Sequence, residues 1–193
     1  MVVKGTKLAG VLVIEPQIFA DARGHFLEIY QNQRYVAQSI TDHFVQDNLS
    51  FSAKDVLRGL HYQLRQPQAK LVMVLDGRIF DVAVDIRLGS PNFGKWFGVV
   101  LSSDDYRQVF IPQGFAHGFC VLSETARVLY KCTDYYAPAD ERGLVWNDET
   151  LAIEWPVRDP VLSPKDAAYP SLKEISPDDL PLFHPAGSPP KAS

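Results

Sequence analysis

The chain is 193 residues long, 46% hydrophobic and 22% charged, with a formal net charge of −4, a size and balance that suit one well-buried soluble domain. The negative sign argues against a generic nucleic-acid binder, which needs a basic face for phosphates, but not against a single cleft lined with cations. No apolar run is long enough to cross a bilayer, and the N-terminus lacks the apolar core of a signal peptide, so a cytoplasmic location is expected and no membrane partner.

In chain order, residues 33–40 suggest a short helix. The hexapeptide Arg58-Gly59-Leu60-His61-Tyr62-Gln63 sets one imidazole among cationic side chains, with Lys70 opening the apolar run 70–75. Asp76-Gly77 is a hairpin-type dipeptide, and residues 78–87 follow with strict alternation. Phe80, Val82, Val84 and Ile86 fall on one face of that predicted strand; Asp81, Ala83, Asp85 and Arg87 fall on the other. Two acids would be costly in a sealed apolar core, so their face is expected to meet water, a ligand cavity or cationic partners. Residues 88–92 read as a loop, 95–101 and 106–111 as strands, and Pro112-Gln113-Gly114 as a turn. Residues 117–122 and 126–133 read as a further strand pair, and a second short helix is expected after Ser163.

Many short strands with Gly and Pro turns and little helix indicate an all-β sandwich or barrel. A single domain over 1–175 is expected, followed by a Pro-rich tail over 176–193 that frays or wraps a neighbouring surface. Cys120 and Cys132 lie in apolar, strand-like segments and are expected as buried free thiols.

Two histidines have distinctive surroundings: His61, and His117 at the close of Ile111-Pro112-Gln113-Gly114-Phe115-Ala116-His117. The Pro-x-Gly-x-x-His spacing also occurs in metal-binding cupins, whose sites draw further ligands from a His-x-His pair. Here positions 59 and 63 are Gly and Gln, which leaves two histidines and no third ligand for a divalent ion. Proton transfer suits these residues better. Abstraction beside a carbonyl needs a base of near-neutral pKa, which histidine supplies. It also needs a cation or hydrogen-bond donor at the oxygen where enolate charge develops, a role open to Lys70. Inversion further needs an acid on the opposite face, and Tyr130 is one option among tyrosines that are more often structural.

Several ordered motifs resemble those of the dTDP-4-dehydrorhamnose 3,5-epimerase family. They include Asp21-Ala22-Arg23-Gly24-His25-Phe26, Phe44-Val45-Gln46-Asp47-Asn48, Arg58-Gly59-Leu60-His61-Tyr62-Gln63 and Tyr130-Lys131-Cys132-Thr133-Asp134-Tyr135-Tyr136. The two histidine-bearing runs, residues 80–87 and Leu162-Ser163-Pro164-Lys165-Asp166 extend the match over most of the chain. The resemblance implies a metal-free, cofactor-free cupin jelly roll acting on a dTDP-keto-deoxysugar, usually as a homodimer that exchanges N-terminal strands. It implies His61 as general base oriented by Asp166, Tyr130 as acid, Lys70 as enolate stabiliser and His117 in the sugar pocket. Arg23, Glu28, Gln46, Asp47, Asn48 and Arg58 match positions that hold nucleotide and diphosphate, and Glu141 and Lys165 match further substrate contacts. Phe19, Tyr135 and Tyr136 are candidate platforms for thymine. Three other readings stand beside a 3,5-epimerase: a sister enzyme inverting one centre only, a non-catalytic nucleotide-sugar-binding cupin, and a metal-dependent cupin oxygenase.

Overall fold

The computed structural model describes residues 1–184. Strands β1 (Val2–Gly5), β2 (Leu12–Glu15), β3 (Ile18–Asp21) and β4 (Gly24–Leu27) precede helix α1 (Asn32–Val36). Then follow β5 (Gln46–Ala53), β6 (Leu57–Gln63), β7 (Lys70–Asp76), β8 (Arg78–Asp85) and β9 (Trp96–Ser102). The last strands are β10 (Gln108–Ile111), β11 (Phe115–Val121), β12 (Thr125–Cys132) and β13 (Glu141–Gly143), with helix α2 (Pro164–Ala167) beyond them. The first predicted helix is shorter than expected: Gln31 caps its start through the Arg34 N–H (2.7 Å), and Ser39 beyond its end is left-handed (φ 66°). No helix among the described residues is long and apolar enough to cross a membrane.

The strands form two antiparallel sheets, ordered β1-β2-β10-β7-β12-β5 and β13-β6-β11-β8-β9, with β3 and β4 making a separate hairpin. The predicted all-β sandwich is therefore present, but two predicted hairpins are not. β7 and β8 lie in different sheets, and so do β11 and β12. Turn chemistry is read correctly at Asp76-Gly77, where Gly77 has φ +83°, yet a dipeptide does not decide whether the chain folds back or crosses over. Here it crosses. A Cβ at position 77 would lie 2.1 Å from the Thr125 carbonyl oxygen, so this corner packs on the one that carries β11 into β12. Backbone and side-chain bonds join them: the Arg78 N–H donates to Ser123 Oγ (2.8 Å) and the Leu122 N–H to Arg78 O (2.9 Å).

The alternation on β8 has a specific outcome. Ile79 and Ala83 join the cluster between the sheets with Val72, Val74, Val109 and Val128. Phe80, Val82, Val84 and Ile86 pack on the opposite side, against Leu144, Leu151, Leu172 and Leu180 of the C-terminal segment. The acidic face thus points inward, and each acid has a basic partner. Asp85 takes bonds from Arg87 Nε (2.9 Å) and Nη2 (2.6 Å), and Asp81 meets His117 Nε2 at 2.8 Å. Cys120 and Cys132 are buried and free, as expected.

Residues 176–184, the start of the predicted tail, wrap the outside of the second sheet. Leu180 is buried, Leu182 bridges Leu88, and the Tyr62 hydroxyl donates to Asp179 O (2.8 Å). The rest of the predicted tail lies outside the described residues. One close approach shapes the site: a Cβ at Gly59 (φ +110°) would lie 2.6 Å from the His117 carbonyl oxygen and 2.7 Å from Gly118 Cα. At that point the β6–β11 register shifts, between His117 and Phe119. Only glycine lets the strands meet there, and the bulge sets the directions of Arg58 and His61 on either side.

Candidate active site

Register builds the site one row at a time. In the first sheet Cys132 lies opposite both Gln46 and Lys70, Tyr130 opposite Asn48 and Val72, and Val128 opposite Ser50 and Val74. The inward face is therefore polar at one end and apolar at the other, where the core begins. In the second sheet His61 lies opposite His117 and Gly143, and Gln63 opposite Glu141. A cavity of about 300 Å³ opens between these polar ends, lined among others by Gln46, Asn48, Arg58, His61, Lys70, His117, Tyr130, Tyr136 and Glu141.

His61 Nε2 lies 2.5 Å from Asp166 Oδ1, across 105 residues of sequence. Asp166 is buried in the single turn of α2, and its N–H donates to Ser163 Oγ (3.1 Å) at the helix cap. Burial pushes the Asp166 carboxyl up, but the bond and charge of His61 pull harder and leave it below the usual carboxylate value. An ionised Asp166 holds the proton on Nε2, which leaves Nδ1 as the basic nitrogen. His117 is similarly held by Asp81.

Lys70 reaches the cavity from the opposite sheet. Burial holds its ammonium below the ordinary lysine value, against the upward pull of Cys132, Asp81 and Glu141. No carboxylate lies within salt-bridge distance of it among the described residues. Tyr130 stays protonated, its phenol pushed up by burial and by neighbouring Cys132. Arg58 donates from Nε to Ser52 Oγ (3.0 Å), which leaves its terminal nitrogens for a ligand. At the mouth, Glu141 Oε2 accepts from Lys165 Nζ and from the Tyr136 hydroxyl, both at 2.7 Å.

Three predicted residues are not brought to this cavity within the chain. Arg23 sits at the β3–β4 turn, bonded to Asp21 and largely exposed. Glu28 pairs with Arg34 (3.2 Å). Asp47 lies on β5 between Gln46 and Asn48, so alternation turns it to the outer face, where Lys131 Nζ meets it at 2.7 Å. Of the aromatic candidates, Phe19 is on the same hairpin as Arg23, Tyr135 is exposed, and Tyr136 lines the cavity. Ser50, Gln63 and Gln68 also line the cavity without having been predicted. The alternation of residues 46, 48 and 50 carried the signal for Ser50, and the inward face of β8 carried it for Asp81.

A model of the family "dTDP-4-dehydrorhamnose 3,5-epimerase" matches residues 5–174. The chain belongs to that family. It is an isomerase of the cupin type, an epimerase of dTDP-sugars. Among relatives, the dTDP-4-dehydrorhamnose 3,5-epimerase of Pseudomonas aeruginosa is 56% identical over 168 residues, covering 84% of this chain and 92% of that one. The enzyme of the same name from Neisseria gonorrhoeae is 53% identical over 165 residues; the match covers 84% of this chain but only 50% of that longer protein. A crystal structure of a dTDP-6-deoxy-D-glucose-3,5-epimerase from Legionella pneumophila, in complex with dTDP-4-keto-L-rhamnose, has 54% identity and a TM-score of 0.93. It covers 95% of this chain and 98% of that one.

Proposed function

We propose that this cavity converts dTDP-4-dehydro-6-deoxy-D-glucose to dTDP-4-dehydro-L-rhamnose, inverting C3 and C5 in turn beside the C4 ketone. The observation that carries this reading is the placement of base and acid on opposite walls. His61, with Asp166 behind it, belongs to the second sheet; Tyr130 and Lys70 belong to the first. Inversion requires a proton to leave one face of a carbon and another to arrive on the opposite face, and a ring seated between the sheets meets that requirement.

In each half-reaction His61 Nδ1 takes the C–H proton, and the bonding pair moves into the carbonyl to form an enolate at O4. The Lys70 ammonium stabilises that charge, and the Tyr130 hydroxyl returns a proton from the other side. Arg58 suits the diphosphate. Incubation with the keto sugar nucleotide in D2O is expected to place solvent deuterium at both C3 and C5. Label at one carbon only would replace this reading with a single-centre epimerase, and label at neither would reduce the chain to a binding protein.

The assembly belongs to the same reading. Leu49 and Phe51 on the outer face of β5 are exposed by 63% and 59%, and the β3–β4 hairpin, joined to neither sheet, exposes Phe19 and Phe26 beside Arg23. We assign the exchange of N-terminal strands to this hairpin, because β1 and β2 already have partners in the first sheet; in a homodimer it carries Arg23 to the partner's diphosphate. A mixture of Arg23→Ala and His61→Ala subunits is then expected to regain activity, because one site of each heterodimer has both residues. Failure to regain it, with heterodimers verified, places Arg23 in its own subunit's site or in none. Two buried free thiols suit the cytoplasm, where cysteines stay reduced.

A further inference from the structure

The base has a gap on one side. His61 stands between two cross-strand neighbours, His117 on β11 and Gly143 on β13. Gly143 has no side chain to pack against the imidazole. Tyr169 fills that gap from the C-terminal segment. An ideal Cβ on Gly143 would lie 2.4 Å from Tyr169 Cε2 and 2.6 Å from Cδ2 and Cζ. The phenol ring therefore rests directly on the β13 backbone, in space that any other residue at 143 would occupy. From there it meets the His61 ring edge-to-face, with centroids 5.8 Å apart and planes at 70°.

The ring is held from both ends. Three residues earlier the same segment supplies Asp166 to His61, and one residue later Pro170 O accepts the Val145 N–H (2.9 Å). Proline also restricts the backbone of the residue before it. The Tyr169 hydroxyl is buried and bonds to no group among the described residues. Its phenol is pushed up by burial and by the charges of Glu141 and Asp166, so it stays protonated. A buried hydroxyl without a partner is destabilising, which makes the ring the useful part of this side chain.

We infer that Tyr169 is a positioning residue for the general base: seated on Gly143, its ring fixes the plane of the His61 imidazole, so that Nε2 faces Asp166 and Nδ1 faces the sugar. This role rests on His61 being the base. Proton abstraction from carbon tolerates little misalignment, and a small displacement of the reacting atom lowers the rate steeply.

The test compares Tyr169→Leu, Tyr169→Phe and Gly143→Ala with the parent and with His61→Ala, all checked for folding by circular dichroism and thermal melting. Tyr169→Leu and Gly143→Ala are expected to lower kcat roughly 10–100-fold while KM stays within about twofold, since neither residue is among those that line the cavity. Tyr169→Phe is expected to restore kcat to near the parent value and to melt no lower. A folded Tyr169→Leu protein with parental kcat overturns the inference. Tyr169→Phe as impaired as Tyr169→Leu also overturns it, because the hydroxyl rather than the ring would then be the working group. Retained deuterium exchange in His61→Ala overturns the base assignment itself, a result distinguishable from either of these.

Discussion

His61→Ala is expected to lose deuterium incorporation at C3 and C5 together, with turnover falling by roughly 10²–10⁴-fold, the usual contribution of a positioned base. One histidine serves both carbons in this reading, so neither label should survive alone. The substitution also has a consequence for stability, and its sign can be worked out. In the parent, His61 holds the Asp166 carboxyl below its ordinary value despite burial. Without the imidazole that pull is lost, and burial, opposed only by Ser163 and Lys165, moves the folded-state value up from the parent's. The stability that a depressed carboxyl contributes above the unfolded carboxylate value, and loses as pH falls through the folded one, is then reduced or gone. His61→Ala should therefore be most destabilised, relative to the parent, near neutral pH and least so below about pH 4. His61→Gln, which offers an amide donor to Asp166, should recover stability without recovering exchange. Exchange at either carbon in a folded His61→Gln protein would remove His61 from the role of base. Uniform destabilisation of His61→Ala across pH would mean that Asp166 is not held by this pair.

Individual strands were legible because alternation and turn residues are local. The alternation predicted over 78–87 holds along β8, which ends at Asp85, and the two acids on its polar face find Arg87 and His117 as partners. Sheet membership was not legible. Gly77 adopts the left-handed backbone that a hairpin would also demand, while β7 and β8 lie in different sheets and the corner packs on Thr125, nearly fifty residues away, which lies where a Cβ would stand. The same limit applies to the site. His61 and His117 announce themselves through neighbouring Gly and Pro residues, but Asp166 sits on a turn that any capped Ser-Pro start would produce. Only resemblance paired it with His61. Tyr169 had no signal at all: its place depends on the absence of a side chain at Gly143, in another strand. Arg23 and Glu28 show the converse, since family resemblance marks them as substrate contacts while the single chain leaves them on an exposed hairpin and its continuation.

Lys70→Met is the substitution expected to separate catalysis from stability. Methionine keeps the length of the side chain and removes its charge. Chemistry should suffer: without a cation at O4 the enolate loses its main stabilisation, and a fall in kcat of about 10²–10³-fold is expected, as for removal of an oxyanion donor. Folding should improve. Burial holds the Lys70 ammonium below its ordinary value, and no carboxylate within salt-bridge range is left unpaired by its removal among the described residues. A lysine whose folded value is depressed binds fewer protons in the native state than in the unfolded one, so it weakens the fold at low and neutral pH. That penalty fades as pH rises toward the unfolded lysine value of about 10.4. Lys70→Met is thus expected to melt higher than the parent at pH 7, with the difference shrinking as pH approaches 10. A loss of stability at pH 7 would mean that the charge is compensated in the free protein. A kcat within about tenfold of the parent would transfer the enolate to another donor. If both expectations hold, the wall opposite His61 keeps an unpaired cation at the expense of its own stability, and the substrate's developing oxyanion is what finally pairs it.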